Sequence, residues 1–328
     1  MPKKKAEEGP KRLTSHTLKL DEAQMEALSE LCERRMYQYY FVDHTLFAYK
    51  APREEVNIVG YKSGKVVIQG KGTEAFVQNT IEAEITGAAK LGYEEFHNPE
   101  WFETHAGLDE AGKGDVFGPL VSCCVIADGD MVREWREKGV KDSKALNDNS
   151  IIRLEKIILG TKGVVVKKVF AGMSRYNDLM SRPGANLNKL LAWYHSRALQ
   201  QALAERRDDV EWGLVDQFSK APLTQQQLKK EGVQFDLRMR TKAESDPVVA
   251  AASICARAEF VRQLRKLSKE FGEELKKGAS AAVREQGKEL VAKLGEHRLK
   301  DFAKTHFKTA YEILGLPVPE KPPYRGRG

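Results

Sequence analysis

Three stretches of this 328-residue chain run from apolar residues straight into acids. The first is His105-Ala-Gly-Leu-Asp109-Glu110 and the second is Trp212-Gly-Leu-Val-Asp216. The third, Lys242-Ala-Glu244-Ser-Asp246-Pro247, sits just before an apolar helical run at 248–257. A carboxylate at the end of a buried strand is costly unless something compensates it, and a hard divalent cation does so through oxygen ligands. Neighbours on a regular strand point to opposite faces, so Asp109 and Glu110 are expected to share a site only where the strand ends or bends. Gly112 and Gly114 follow and supply such a bend, and they let backbone N–H groups approach a ligand closely. Taken singly, each acid reads more readily as a helix cap or a surface carboxylate. Three such junctions in one region suggest one shared site.

Other chemistries fit less well. Gly112-Lys113-Gly114-Asp-Val-Phe-Gly118 is one residue too long for the dinucleotide fingerprint, and no P-loop pattern occurs. The four cysteines, Cys32, Cys123, Cys124 and Cys255, contain no C-x-x-C pair, so zinc is not expected. They read as buried free thiols in a reducing cytoplasm. No apolar run is long enough to span a membrane, and the basic start lacks the apolar segment of a secretory signal. The net charge of +7 invites a nucleic-acid partner. Much of it sits at the ends: residues 1–12 hold five basic and two acidic groups, and residues 317–328 hold three and one. The local pattern says more. Lys62, Lys65 and Lys71 lie in an acid-free stretch, and Lys113, Lys141 and Lys144 lie close in sequence to the first acids.

The elements that must position these residues fall into two units. Residues 1–12 and the Pro- and Gly-rich 317–328 are expected to be disordered tails. Residues 13–90 read as strand, helix, four strands, helix: a short strand at 16–20, a helix capped by Asp21, strands at 37–42, 45–49, 56–61 and 66–69, and a helix at 73–90. That is a small α+β unit with one sheet. A linker at 91–103 contains Asn98-Pro99. The second unit, 104–316, opens with strands at 106–110 and 120–127. Further strands follow at 164–170, 212–216 and 235–239, with an amphipathic helix at 188–206. Beyond Pro247 the pattern is helical to about 314, with breaks near Gly278 and Gly295.

These residues carry a resemblance to the type 2 ribonucleases H, and within them to the bacterial ribonuclease HIII subgroup. It covers about residues 14–314. Asp109-Glu110-Ala-Gly112-Lys113-Gly114-Asp-x-Phe-Gly118-Pro119 is similar to the family's opening motif. Lys141-Asp142-Ser143-Lys144, Asn186-Leu-Asn188-Lys189-Leu-Leu-Ala-Trp-Tyr-His195, Val215-Asp216-Gln217-Phe218, Lys242-Ala-Glu244-Ser and Ala250-Ala-Ala-Ser253-Ile-x-Ala-Arg257 resemble its later motifs. So do Lys277-Gly278-Ala-Ser280 and Thr305-His306-Phe307-Lys308-Thr309.

The resemblance implies an α/β, RNase H-like fold, a mixed central sheet flanked by helices. It also implies a small N-terminal domain similar to a TATA-binding-protein platform that binds the substrate duplex. It implies hydrolysis of the RNA strand of an RNA/DNA hybrid, leaving 5′-phosphate and 3′-hydroxyl ends, by two Mg2+ or Mn2+ ions roughly 4 Å apart. Asp109, Glu110, Asp216 and Glu244 would be the ligands. The stretch from Glu244 to Ser253 is one residue shorter than the family pattern, which keeps Asp246 open as the fourth. Gly112, Lys113 and Gly114 would read the ribose 2′-hydroxyl, while Ser143 and Lys144 would hold phosphate. Asn186, Asn188 and Lys189 are further substrate candidates, although an Asn capping the helix explains the same residues. A monomer in the cytoplasm is expected. Two alternatives remain at this point: a ribonuclease HII-type enzyme cutting at single embedded ribonucleotides, and a hybrid-binding protein without catalysis.

Overall fold

The structure, a computed structural model, describes residues 13–87, 98–140 and 146–318. The N-terminal tail, most of the C-terminal tail, most of the linker, and the Ser143 and Lys144 of the Asp-Ser-Lys motif lie outside the described residues. The chain forms two compact units, divided between Phe102 and Glu103.

The first unit is a five-stranded antiparallel sheet in the order β1-β5-β4-β3-β2. Its strands are β1 (Ser15–Lys19), β2 (Gln38–Tyr39), β3 (Thr45–Ala51), β4 (Val56–Tyr61) and β5 (Lys65–Gly70). Helix α1 (Glu22–Arg34) starts with a capping box: Asp21 accepts from Gln24 N at 2.9 Å, and the Gln24 side chain accepts from Asp21 N at 3.2 Å. Its Met25, Leu28 and Cys32 pack on Phe47, Tyr49, Val56, Ile58, Val66 and Ile68, the inward-facing alternate residues of three strands. The expected strand at 37–42 shrinks to the two residues of β2, an edge strand paired only with β3, beyond which Phe41 turns out to solvent. The expected helix at 73–90 is α2 (Thr73–Phe76) continuing as a π-helical stretch, Val77–Thr86, that stops at Gly87 with φ +64°. Val77 and Ile81 still reach the core, so the apolar spacing gives no sign of the wider turn.

The second unit is a mixed sheet, β10-β9-β6-β7-β8, flanked by helices. Its strands are β6 (His105–Ala111), β7 (Val121–Ala127), β8 (Val165–Phe170), β9 (Trp212–Asp216) and β10 (Asp236–Arg240). The helices are α3 (Gly129–Glu137), α4 (Asp148–Leu159), α5 (Met173–Met180), α6 (Leu187–Leu203), α7 (Leu223–Lys230), α8 (Pro247–Phe271), α9 (Ala281–Leu294), α10 (Leu299–Phe302) and α11 (Lys308–Ile313). Strands β6, β7 and β8 form an antiparallel meander, whereas β9 and β10 run parallel to β6. The crossover from β8 through α5 and α6 to β9 therefore brings Asp216 beside β6 from over 100 residues away.

One face of β6 and β7 packs Ala106, Leu108, Cys124 and Ile126 against Ala198, Leu199 and Ala202 of α6. The other meets α8, whose Ala250, Ala251, Ala252, Ala256 and Ala258 are all buried. Small residues allow close approach there, and Gly107 allows it most. A Cβ on Gly107 would lie 2.4 Å from the carbonyl carbon of Val248. Gly107→Ala is therefore expected to cost about 1–3 kcal/mol by overpacking, seen as a lowered Tm in thermal unfolding. Helix α8 starts at Pro247, suited to a first turn, and stops at Gly272 (φ +91°), earlier than the break expected near Gly278.

Candidate active site

Asp109 and Glu110 both lie within β6, which stays paired with β7 through Glu110–Ser122 and Ala111–Val121. As expected from the sequence, the strand ends just after them, at the glycine turn that begins with Gly112. By alternation Glu110 shares the α6 face with Leu108, and Asp109 shares the α8 face with Gly107. They nevertheless line one cavity of about 320 Å³, together with Asp216, Glu244, Ser253 and Arg257. The chain turns away immediately after β6, at Gly112 (φ +84°), so both faces of the strand end on a common rim. A Cβ on Gly112 would lie 2.2 Å from the Pro119 carbonyl oxygen, so the tight turn needs glycine. Asp216 is the last residue of β9. Its Oδ1 accepts from Ala243 N at 2.9 Å and so holds the short turn Ala243–Ser245 that carries Glu244.

The two adjacent acids live in opposite electrostatic settings. Glu110 Oε2 lies 3.2 Å from His195 Nε2, and its Oε1 lies 3.4 Å from Lys113 Nζ. His195 is fully buried on α6, and its Nδ1 lies 2.7 Å from the Ser122 hydroxyl. A neutral imidazole satisfies both contacts, with Nε2–H donating to the carboxylate and Nδ1 accepting from Ser122. Burial works against the Glu110 charge, but His195 and Lys113 hold its carboxyl below the usual range. Burial pushes the Asp109 carboxyl up to about 8, with the charges of Glu110 and Asp216 adding to the effect. The Glu110 N–H on its Oδ1, at 2.7 Å, and Ser253 only partly offset this.

A crowd of hard oxygen donors short of positive charge is the donor set that suits Mg2+ or Mn2+. Among the described residues no group of three His, Cys, Asp or Glu side chains is poised to chelate one ion by itself. The acids ring the cavity instead, leaving room for the waters that Mg2+ retains in its shell.

The remaining sequence candidates separate. Asp246 is fully buried, and its Oδ1 accepts from Val248 N (2.8 Å) and Val249 N (3.1 Å) as the N-cap of α8. The same oxygen lies 3.1 Å from His105 Nε2. Glu244 borders the cavity and Asp246 does not. Lys113 also stands over the Phe218 ring at 5.2 Å, while Gly114 is exposed, with no protein atom within 4 Å of an added Cβ. Asn186 caps α6, accepting from Asn188 N (2.9 Å) and Lys189 N (3.3 Å). Asn186 and Lys189 border a separate cavity of about 230 Å³ with Arg182.

Sequence reasoning assigned no role to His195, Ser253, Arg257 or Asp115, all of which touch or line the site. His195 closes the segment from Asn186 that resembles the family's helix start, but that likeness names no partner for it, and a polar residue on the apolar stripe of α6 reads locally as a core histidine. Arg257 donates to the Leu146 carbonyl at 2.7 Å, a contact 111 residues away that no local pattern announces.

Comparisons with known proteins cover both units of the chain. Residues 106–310 match the family model of ribonuclease HII, and residues 15–90 match a domain of unknown function (DUF3378). The chain is 36% identical over 288 residues to ribonuclease HIII of Chlamydia abortus, covering 87% of this chain and 93% of the relative. It is 36% identical to ribonuclease HIII of Protochlamydia amoebophila, covering 81% and 86%. Among solved structures, that of Bst-RNase HIII in complex with Mn2+ superposes with a TM-score of 0.64 at 30% identity, over 92% of this chain and 98% of that one.

Proposed function

The chain belongs to the ribonuclease HIII family, and on that premise we propose that Asp109, Glu110, Asp216 and Glu244 are the catalytic acids of an enzyme that cuts RNA hybridised to DNA. It has the RNase H-like fold and is an endonuclease of the RNA strand of RNA/DNA hybrids. The observation that carries the assignment of residues is the meeting of these four carboxylates in one cavity. Two Mg2+ or Mn2+ ions held there would neutralise the phosphate and supply an activated water, leaving 5′-phosphate and 3′-hydroxyl products.

The chain's own groups do the rest. Ser253 and the Glu110 N–H orient Asp109, and His195 with Lys113 keeps Glu110 ionised and aimed. Gly114 faces open space, so the backbone there has room for a ribose, and Lys113 beside it places positive charge at the rim. Ser143 and Lys144 are proposed as phosphate contacts on sequence grounds. Lys189, with Arg182, suits phosphate further along the duplex, whereas Asn186 serves first as a cap.

The first unit suits a duplex-binding platform. Its helix-free sheet face sets Lys50, Asn57, Gln69 and Ser15 in one cross-strand row and Lys65 beside Lys19 in another, all exposed. Lys62 and Lys71 are exposed on the same unit. No described helix is long and apolar enough to cross a membrane. We take the enzyme to work as a monomer, and in the cytoplasm, where its four buried free thiols would stay reduced.

The test is cleavage of a long hybrid beside a duplex with a single embedded ribonucleotide, with Mg2+ and Mn2+ in parallel. The long hybrid should be cut on the order of 100-fold better in kcat/KM. Efficient cutting at the single ribonucleotide would overturn the subtype. A hybrid that is bound but never cut would overturn the catalytic reading.

A further inference from the structure

Lys304 is a buried lysine outside the acid cavity. Its side chain is fully enclosed, between the rings of Tyr176 (5.6 Å) and Phe307 (5.8 Å). Enclosing an ammonium is costly, and an apolar side chain would fill the same space at less cost. What the ammonium contributes is two hydrogen bonds, to the Asp115 carbonyl (2.8 Å) and to the Gly118 carbonyl. Both carbonyls belong to the turn between β6 and β7 that begins at Gly112. Burial pulls the Lys304 amine down to about 7 against the pull of Asp115.

The main chain around Lys304 grips the same turn. Lys304 N donates to Val116 O (2.8 Å), Gly118 N donates to Phe302 O (3.0 Å), and Phe117 pairs with Ala303. Asn177 of α5 fixes this segment in turn. It donates to the carbonyls of Lys300 (2.7 Å) and Ala303 (2.9 Å) and accepts from Thr305 N (3.0 Å). A second brace comes from Gly278, whose N–H donates to Asp115 Oδ1 at 2.6 Å. No contact of this set touches Asp109, Glu110, Asp216 or Glu244. The side of the turn left free is Gly114, with open space where a side chain would stand.

We propose that Lys304 is a positioning residue for substrate recognition. Its ammonium locks the 112–118 turn in the shape that presents the Gly114 backbone to the RNA strand. The inference rests on the reading of that turn as a substrate contact. Lys304 sets the shape of the reader, and the carboxylates do the cutting.

Lys304→Met keeps an unbranched side chain and removes the donors, and Lys304→Gln keeps a single shorter donor and carries the test if the Met variant does not fold. Gly114→Val tests the underlying reading separately, because the space around it is open. Steady-state cleavage of a long hybrid and amide hydrogen exchange across 112–118 are measured for each, with thermal unfolding as the check on folding. Lys304→Met should speed exchange of the turn amides and raise KM on the order of tenfold with kcat within about threefold, since binding is lost rather than chemistry. Lys304→Gln should fall between Met and wild type. Unchanged exchange in folded variants overturns the proposal, as does a fall in kcat at constant KM. If Gly114→Val leaves KM unchanged, the reading of the turn fails by itself. If Gly114→Val raises KM and Lys304→Met does not, only the role of Lys304 fails.

Discussion

Replacing Asp109 with Asn is expected to abolish cleavage while making the metal-free protein more stable. The two effects have one cause. Asp109 is crowded by burial and by the charges of Glu110 and Asp216, and its carboxyl is pushed from 3.8 to about 8. A carboxyl raised in the folded state binds more protons folded than unfolded between those values. Its contribution to stability therefore falls as pH rises from about 4 to 8 and stays unfavourable above. Asn keeps an oxygen for the Glu110 N–H and carries no charge, so it removes that slope. In EDTA at pH 8 the variant should melt roughly 2–4 °C above wild type, the equivalent of about 1 kcal/mol after solvent screening. A variant that melts lower, or with an unchanged pH slope, would contradict the electrostatic picture.

The catalytic half of the same prediction is larger. Charge stabilisation by a bound ion is worth several kcal/mol, and about 4 kcal/mol is a factor of ~10³ in rate. Asp109→Asn should lose at least that in kcat on a long hybrid while the KM or Kd for the hybrid stays within a few-fold, since the binding groups proposed above are untouched. Mn2+ should raise the Tm of wild type and raise that of the variant much less. A variant that cuts at the wild-type rate would remove Asp109 from the site.

The parts of this molecule that were legible in advance are those where local sequence and tertiary role agree. Asp109 with Glu110, and Asp216, each follow an apolar run, and the strands beneath them, β6 and β9, sit close to where those runs put them. The capping box at Asp21 is complete within four residues and was readable for the same reason. What was not legible depends on contacts between distant segments. His195 meets Glu110 across 85 residues, and Lys304 meets Gly118 across 186. Nothing local distinguishes either from a core histidine or a surface lysine. The α6 start is a case where the bland reading holds structurally, because the Asn186 side chain is spent on capping. The glycines that follow the first two acids in the sequence mark where β6 ends, and there its two faces converge on a common rim after Ala111.

The fourth acid is where sequence left two choices, and the two residues should fail in opposite ways. Glu244 is held on a short turn tied to Asp216 through Ala243, at the cavity wall. Glu244→Gln is expected to lower kcat by a factor on the order of 10² or more with little change in Tm, because the amide keeps the shape and gives up the charge that a cation needs. Asp246 does a different job. It satisfies two orphan N–H groups at the start of the 25-residue α8, and it contacts His105, which stacks on Trp212 at 4.3 Å. Its Oδ2 has no hydrogen-bond partner among the described residues, a cost that the positive end of the long helix offsets. Asp246→Asn preserves the capping oxygen but weakens both the helix-dipole and the His105 interactions. Asp246→Ala removes them all, for about 1–2 kcal/mol from the cap and about 1–3 more from the stranded imidazole. Both Asp246 variants should melt lower in that order, with kcat at 25 °C staying within about tenfold of wild type as long as α8 holds Ser253 and Arg257 in place. Isothermal titration with Mn2+ gives the same contrast without turnover, with affinity lost in Glu244→Gln and kept in Asp246→Asn. If instead Asp246→Asn loses both Mn2+ affinity and cleavage at an unchanged Tm, while Glu244→Gln keeps them, then the fourth ligand is the buried cap and the cavity wall is bystander.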